Sequence, residues 1–364
     1  MQLAQIIQFL EQKFPTDHQE SYDNVGLIYG RPTQEITGAL ICLDSTEAIV
    51  DEAIETGCNL IIAHHPIVFK GLKKLNGKSY IERVVERCIQ YQIAIYAIHT
   101  NLDNHYRGVN QKIAAKLGLI NTRILKPMSG KLSKLVVYVP KDDFQKVDLA
   151  IIGAGAGQIG QYSDCHFRSE GIGTFTPNSG AHPVIGQLNV REEVQEMKLE
   201  YVVSNHLIHS VLEAMKQAHP YEEVAYELVS LLNTHQDLGA GMIGELPEPI
   251  ESIEFLKKIK DVFNCGCIKY TALVQRKIKT VALCGGSGSF LLPDAIKAKA
   301  DLYVSADFKY HEFFDAESQL IIADIGHFES EQFTSELLTE IIKENFPNFA
   351  IRLTKLNTNP VNYL

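Results

Sequence analysis

Two adjacent histidines stand where a short apolar segment of this 364-residue chain ends. His64 and His65 follow the apolar run 59–63 and precede Pro66, which favours the end of a buried strand over a helix segment. Neighbouring side chains of a strand point to opposite faces, so the pair binds either one ion after a local twist or two ions side by side. The pattern is typical of a metal site, and a surface loop with two titrating histidines is the alternative.

Three further segments place polar side chains directly after an apolar run. Those side chains are His99, Asn101, Asp103 and His105 after run 93–98, Asp307, Lys309 and His311 after run 302–305, and His327 and Glu331 after run 320–325. A spacing of four puts His327 and Glu331 on one face of a helix that begins there. Ligands of open α/β sheets bind beyond the carboxyl ends of the strands, so we expect these strand ends to meet.

Strands and helices alternate in the segments that carry these residues. Apolar runs 39–42, 59–63 and 93–98 are separated by predicted helices 45–57 and 79–91, and a helix 109–117 follows. The chain after Lys279 repeats this style with runs 280–284, 302–305, 320–325 and 350–353. The alternation predicts an α/β domain of three-layer type with mostly parallel sheets. Since each end of the chain supplies part of the site, the two ends must pack together as one domain.

The segment between these two ends has a different pattern. Its predicted strands are 135–139, 165–175, 197–203 and 224–231, and its predicted helices are 143–153 and 208–218. The order β-α-β-β-α-β is typical of a small α+β ferredoxin-like domain. We therefore predict an N-terminal half of the metal-binding domain at 1–126, an inserted domain at 127–233 and a C-terminal half at 234–364.

Two loop motifs remain open to more than one interpretation. The string His219 to Glu223 in the middle segment is either a ligand contact or a capped turn between a helix and a strand. The glycine-rich segment 284–289 follows a predicted strand, so it forms either an anion-binding nest or a tight turn. It lacks the lysine of a P-loop.

The composition and net charge of the chain argue against several classes of protein. A net charge of −10 and a pI near 5.7 argue against nucleic acid as a partner. No run reaches the roughly 18–20 apolar residues of a membrane span, and the first residues lack the basic region of a signal peptide. Seven scattered cysteines fit reduced thiols better than a disulfide framework. We therefore expect a cytoplasmic protein with no membrane partner.

As a set, five motifs resemble the Ngg-interacting-factor-three-like family, many of whose members are labelled GTP cyclohydrolase I type 2 homologues. The motifs are YDNVGL at 22–27, AHHP at 63–66, HTNLDN at 99–104, SADFKYHEFFDA at 305–316 and GHFESE at 326–331. The middle segment resembles the insertion of the longer bacterial members, which is similar to the PII and CutA type of small signalling domain. Tyr22 departs from the tryptophan that many relatives carry there.

The resemblance implies a dinuclear metal centre inside a toroidal homohexamer. By position, the metal ligands that it implies are His64, His65, Asp103, His327 and Glu331. The cyclohydrolase label implies a small-molecule substrate and is carried over here as a candidate activity.

Five such ligands are too few to saturate two closed tetrahedral ions, which together take about eight. Carboxylates must bridge or water must fill the remaining positions, and open positions are typical of a catalytic site. Asp103 is the predicted bridge. Two ions roughly 3.5–4 Å apart can share a hydroxide, so we predict a hydrolase that attacks a carbonyl, phosphoryl or formamidine-type carbon. Nitrogen and oxygen donors without thiolate suit zinc, iron(II) or manganese, and we expect two zinc ions per chain as isolated.

His99 and His311 lie near the same predicted edge and are not among the implied metal ligands. Either one is a candidate general acid or base, and the alternative is a hydrogen-bond partner that orients a ligand. A different function also stays open, in which the metal centre is a non-catalytic metal- or metabolite-sensing scaffold and the inserted domain binds a ligand or partner. A mononuclear metalloenzyme is the third possibility.

Overall fold

The computed structural model describes residues 1–364. The chain divides into two compact units, a first unit of Met1–Lys126 with Asp237–Leu364 and a second unit of Pro127–Gln236. The strands are Gly26–Tyr29 (β1), Ala39–Cys42 (β2), Leu60–Ala63 (β3), Ala94–Ala97 (β4), Ile120–Ser129 (β5), Leu132–Pro140 (β6), His166–Phe175 (β7), Glu192–Ser204 (β8), Tyr226–Ser230 (β9), Thr234–Glu251 (β10), Lys269–Tyr270 (β11), Lys277–Ser287 (β12), Leu302–Ala306 (β13), Ile321–Asp324 (β14) and Ile351–Leu353 (β15).

The helices lie between these strands. They are Leu3–Lys13 (α1), Glu47–Glu55 (α2), Tyr80–Gln90 (α3), Thr100–Asp103 (α4), Val109–Leu117 (α5), Phe144–Gly153 (α6), Ile208–Ala218 (α7), Ser252–Val262 (α8), Leu292–Lys297 (α9), His327–Glu331 (α10) and Thr334–Asn345 (α11). The mixed α/β class predicted from the alternating pattern is confirmed. None of the helices combines the length and the apolar character that crossing a bilayer demands.

One sheet of the first unit has five strands in the order β1-β4-β3-β2-β15. Strands β15, β2, β3 and β4 run parallel, and β1 pairs antiparallel at the edge. Every residue of β2, β3 and β4 is buried. Such continuous apolar runs are expected of parallel strands that are covered on both faces. The exits of β3 and β4 therefore point to the same edge.

The other sheet of the first unit has six strands in the order β11-β14-β13-β12-β10-β5. Strands β12, β13 and β14 run parallel, whereas β10 pairs antiparallel with β12 and β11 pairs antiparallel with β14. The register aligns Ser305 with Asp324, so β13 and β14 end side by side. The predicted strand ends thus belong to two different sheets, two ends from each.

A single hydrophobic core joins the two sheets of the first unit. It contains Tyr96 from β4, Val304 from β13 and Ile113 from α5, among other buried side chains. Helices α2 and α3 cover the far face of the five-stranded sheet, and α9 covers that of the six-stranded sheet. Because close-packed interiors resist deformation, this core holds the carboxyl ends of the two sheets in a defined arrangement.

The second unit contains the elements β6-α6-β7-β8-α7-β9 in chain order. Its sheet has the order β7-β8-β6-β9, and all three strand pairs are antiparallel. In the second half of β8, buried residues alternate with half-buried ones, which gives one apolar face. Helices α6 and α7 pack on that face through Val147, Ile151, Val211 and Met215. The opposite face carries no helix of this unit.

Gly108 lets the chain turn tightly between α4 and α5. A Cβ atom at this position would lie 1.7 Å from the backbone oxygen of Leu102. We expect Gly108→Ala to lower the free energy of unfolding by roughly 1–3 kcal/mol, as overpacking typically does. Thermal unfolding followed by circular dichroism measures the change. The control is Gly71→Ala, because a Cβ there meets no atom within 4 Å; equal melting temperatures of the two variants would contradict the prediction.

Candidate metal centre

Four imidazole rings lie together where the two sheets of the first unit end. His64 and His65 directly follow β3, His99 follows β4, and His327 begins α10 after β14. The ring centroid of His65 lies 5.0 Å from that of His64 and 5.3 Å from those of His99 and His327. The adjacent histidines thus both face the same site, which requires the chain to twist after β3.

Two carboxylates complete the cluster. Glu331 Oε2 lies 3.0 Å from His65 Nε2 and 3.1 Å from His327 Nε2. Asp103 Oδ1 lies 3.4 Å from His64 Nε2. The structure therefore brings together the five side chains that the family resemblance implied as metal ligands. They form two groups that share Glu331, one with His65 and His327 and one with His64 and Asp103.

Two buried atoms of this cluster have no hydrogen-bond partner. They are His64 Nε2 and Asp103 Oδ1, and they face each other. A buried polar atom without a partner costs free energy, so such atoms are rare in native proteins. A divalent cation would bind both atoms through their lone pairs. The donor set therefore fits a metal ion, with nitrogen and oxygen donors and no thiolate.

Each imidazole is fixed through its Nδ1 atom. The acceptors are Ile98 O for His64 at 2.8 Å, Asp44 Oδ1 for His65 at 2.7 Å, Asp23 Oδ1 for His99 at 2.8 Å and Asp307 Oδ2 for His327 at 2.6 Å. Metal-binding histidines usually donate their second N–H to such oxygens, which sets the tautomer and the ring orientation. The Nε2 atom of each of the four rings is therefore the one that could contact a metal ion or a substrate.

Asp23 and Asp44 were not predicted from the sequence to be part of the site. Asp44 lies two residues after the end of β2, so the rule that singled out the other strand ends could have found it. Asp23 belongs to the YDNVGL motif, and its side chain also accepts a hydrogen bond from the Thr100 amide at 3.0 Å. No local pattern indicates this contact, because 76 residues separate Asp23 from His99.

Carboxylates control the protonation of two of the histidines. Burial disfavours the imidazolium form of His65, but hydrogen bonds with Asp44 and Glu331 outweigh burial and raise the pKa to about 10. Asp307 and Glu331 likewise overcome burial at His327 and raise its pKa to about 11. Burial lowers the pKa of His64 to about 4. Without a cation, the carboxylates favour the protonated forms of His65 and His327 at neutral pH, whereas burial favours the neutral form of His64.

The two carboxylates of the cluster influence each other. Burial and then the charge of Glu331 raise the pKa of Asp103 well above its usual value. Burial also disfavours ionised Glu331, but hydrogen bonds with His327 and His65 outweigh burial and lower its pKa well below the usual value. Two buried carboxylates repel each other when both are ionised, and a bound cation removes this repulsion.

The two histidines proposed as acid or base have different environments. His99 packs edge-on against His64, with ring centroids 5.2 Å apart, and forms a group with His64 and His65. His311 is exposed in the 3₁₀ segment Tyr310–Ala316, and its ring contacts are with Tyr310 and Phe314. The structure therefore brings His99 to the cluster and leaves His311 outside these groups. The chain turns after β13 at Asp307, which has a left-handed φ of 59°.

The glycine-rich segment 284–289 leaves space for the Glu331 side chain because a glycine has no Cβ atom. A Cβ at Gly286 would lie 2.3 Å from Glu331 Oε1. The amides of Gly285 and Gly286 donate to Asn110 Oδ1 and Ser330 Oγ, each at 2.9 Å. These amides already have acceptors, so the close approach of Glu331 explains the glycines better than an anion-binding nest does.

Metal binding should release protons. The Nε2 lone pairs of His65 and His327 must be free to bind a cation, yet the carboxylates raise the pKa values of these rings to about 10 and about 11 and so favour a proton on Nε2 at pH 7. We expect protons to leave on zinc addition at pH 7.5, with apparent affinity rising as pH rises. Calorimetric titration in two buffers of different ionisation enthalpy measures the release. Equal binding enthalpies in both buffers would disprove it.

Comparison with known proteins places the chain in a family. The sequence profile of Duf34/NIF3 (NGG1p interacting factor 3) matches residues 1–360. A Bacillus subtilis protein named "GTP cyclohydrolase 1 type 2 homolog" is 37% identical over 366 residues, covering 99% of this chain and 98% of the relative.

Two solved structures are similar over the whole chain. A Bacillus cereus protein described as related to NIF3 has a TM-score of 0.86 at 36% identity, covering 100% of this chain and 99% of that chain. The Staphylococcus aureus protein SA1388 has a TM-score of 0.80 at 30% identity, with the same coverage. The resemblance inferred from the five motifs is confirmed, and the chain belongs to the Duf34/NIF3 (NGG1p interacting factor 3) family.

Proposed function

We propose that this protein is a metal-dependent hydrolase whose centre holds two divalent cations. One observation carries the proposal, namely that the buried atoms His64 Nε2 and Asp103 Oδ1 face each other without a hydrogen-bond partner. A site that served only as an ion-pair network would satisfy these atoms internally. Five ligands leave positions open for water and substrate, which is the arrangement of catalytic rather than structural metal sites.

The grouping of the ligands assigns a central role to Glu331. Its Oε2 approaches His65 and His327, while its Oε1 lies 3.9 Å from His64 Nε2. We propose that His65 and His327 would hold one cation, that His64 and Asp103 would hold the other, and that Glu331 would contribute to both. The sequence had favoured Asp103 as the bridge. Imidazole and carboxylate donors suit zinc, iron(II) or manganese, and we propose zinc for the protein as isolated.

The chain's own residues prepare the site for proton transfer. When bound, a pair of divalent cations activates water for attack on an electrophilic carbon or phosphorus. His99 donates from Nδ1 to Asp23, so its Nε2 is free to accept a proton and return it to a leaving group. Burial would raise the pKa of Asp23, but hydrogen bonds with His99 and Thr100 lower it to about 2. Asp23 therefore stays ionised and holds His99 in one tautomer.

A cavity of about 580 Å³ beside the cluster has room for a small-molecule substrate. His65, His99 and His327 line it, together with Phe69 and Tyr363. We propose hydrolysis of a ring amidine or amide in this cavity, with GTP as the first candidate because relatives are named "GTP cyclohydrolase 1 type 2 homolog". Related amide and phosphoester substrates use the same metal chemistry and belong in the same screen.

We also propose a cytoplasmic, toroidal homohexamer in which residues 127–236 are an inserted ferredoxin-like domain of the PII and CutA type. The β-α-β-β-α-β order and the antiparallel sheet β7-β8-β6-β9 support the domain assignment. The family resemblance alone supports the oligomer. Light scattering after size-exclusion chromatography tests it, because a mass near six times 40.7 kDa is expected.

A second candidate function is a metal- or metabolite-sensing scaffold in which the second unit binds a ligand. A cavity of about 970 Å³ in the second unit favours it. In that case the metal centre would hold the assembly together and turn over no substrate. The effect of removing Asp103 on turnover and on assembly distinguishes the two functions.

Removing Asp103 should abolish turnover while the protein stays folded and assembled. We expect Asp103→Ala to lower metal-dependent hydrolysis more than about 100-fold, beyond the loss that an orienting partner causes. Formate release from GTP and a metabolite hydrolysis screen measure turnover, and elemental analysis counts metal per chain. The control is the exposed Asp315→Ala. If Asp103→Ala dissolves the oligomer and the wild type turns over no substrate, the scaffold function replaces the hydrolase.

His99 and His311 form a matched pair for testing proton transfer. We expect His99→Gln to lower kcat roughly 10²–10⁴-fold, the usual contribution of a general acid or base. Metal content should stay at the wild-type value, because the other five side chains remain. The exposed His311→Gln should leave both quantities unchanged. Loss of metal from His99→Gln would instead make His99 a ligand and exclude the proton-transfer role.

A further inference from the structure

The second unit contains a cavity of about 970 Å³ that is built entirely from its own residues. It lies on the sheet face opposite α6 and α7, against β7 and β8. Residues of the loop 176–185 form its outer wall, among them the buried Pro177. The Asn189 amide donates to Pro177 O at 2.7 Å, and the His182 amide donates to Glu222 Oε1 at 2.8 Å. These bonds close the loop and attach it to the segment after α7.

Two glycines make the floor of this cavity flat. Gly171 pairs with Glu196 across β7 and β8, and Gly173 is the next β7 residue on the same face. A Cβ at Gly171 would meet no atom within 4 Å, so open space lies directly above it. A Cβ at Gly173 would lie 2.1 Å from a Glu196 carboxylate oxygen. The floor therefore leaves room for a planar group and lets the Glu196 carboxylate lie across it.

Aromatic side chains form the walls. Phe175 and Tyr221 meet edge to face with ring centroids 5.9 Å apart, and Tyr138 also lines the cavity. His219 fixes this wall, because its Nε2 donates to Tyr138 O at 3.0 Å and its Nδ1 accepts from the Tyr221 amide at 3.1 Å. Burial lowers the pKa of His219, which keeps the ring neutral as both bonds require. The string from His219 to Glu223 is thus both a capped turn and a cavity wall.

The charges in the cavity favour a cation. Glu196 is half-buried, and its Oε1 accepts a hydrogen bond from the neutral Tyr221 hydroxyl at 3.3 Å. Lys198 is the one basic residue among the lining side chains, and its ammonium already pairs with Glu200 at 2.9 Å. A phosphate-bearing ligand would therefore meet carboxylates without a free arginine or lysine to bind it.

We propose that this cavity binds a small planar molecule that carries an amine or guanidine cation. The planar group packs over Gly171 between the aromatic walls, and the cation pairs with the Glu196 carboxylate. Aromatic walls with a nearby carboxylate are the chemistry that recognises organic cations, and the cavity volume lies in the range of small-molecule sites. This site is independent of the hydrolase proposed for the first unit.

The chain contains no tryptophan, so an indole ligand can be followed by its own fluorescence. The experiment uses the full chain and three probes of similar shape, which are tryptamine as a cation, tryptophol as a neutral molecule and indole-3-acetate as an anion. We expect saturable fluorescence anisotropy with one tryptamine per chain and a Kd below about 1 mM. Tryptophol should bind more weakly, and indole-3-acetate should bind weakest.

Two variants connect the binding to this cavity. Glu196→Gln should weaken tryptamine binding about ten-fold and leave tryptophol within about two-fold, because only the charged bond is lost. Glu193→Gln, on the same strand and outside the lining, is the control with the same charge change. Gly171→Leu should fill the cavity and remove binding of tryptamine and tryptophol, with an unchanged circular dichroism spectrum confirming the fold.

Three results would overturn the proposal. The first is a lack of saturable tryptamine binding, and the second is tighter binding of indole-3-acetate or ATP than of tryptamine. The third is equal tryptamine affinity of Glu196→Gln and Glu193→Gln, which would place the probe elsewhere on the chain.

Discussion

The buried carboxylate of Glu331 is the constraint on which the rest of the site depends. Its side chain is 3% exposed, so its charge must be neutralised by groups that the fold brings to it. His65 and His327 do this at 3.0 and 3.1 Å, and Gly286 leaves the space that the carboxylate fills. These groups come from two different sheets. The hydrophobic core that joins the sheets is therefore also what keeps the carboxylate compensated.

The Glu331 carboxylate is surrounded by two histidines, and each histidine contacts a further carboxylate on its outer side. Asp44 and Asp307 hold the outer nitrogens of His65 and His327, so each imidazole lies between two carboxylates. Thr358 in turn donates to Asp44 Oδ2 at 2.7 Å, which connects the C-terminal tail to the site. Such an arrangement orients the rings before any ion arrives.

The two units present different recognition chemistry. The first unit offers nitrogen and oxygen lone pairs from side chains that are fixed by a packed core. The second unit offers aromatic rings, a glycine floor and one half-buried carboxylate on the sheet face that its helices leave uncovered. A metal ion suits the first unit, because the nitrogen and oxygen donors of that unit lie close to one another. An organic cation suits the second unit, because the cavity there offers a planar surface and one half-buried carboxylate.

Local patterns in the sequence were sufficient for the α/β class, the family and several elements, because periodicity and capping act over a few residues. The predicted helices 109–117 and 208–218 match α5 and α7. Strand β8 begins at Glu192, five residues before the predicted start, because its first residues are charged and lack apolar alternation. Only tertiary packing decided that the strand ends belong to two sheets, that Asp23 holds His99 and that His311 stays outside the cluster. Those outcomes depend on contacts between distant residues, which no local pattern encodes.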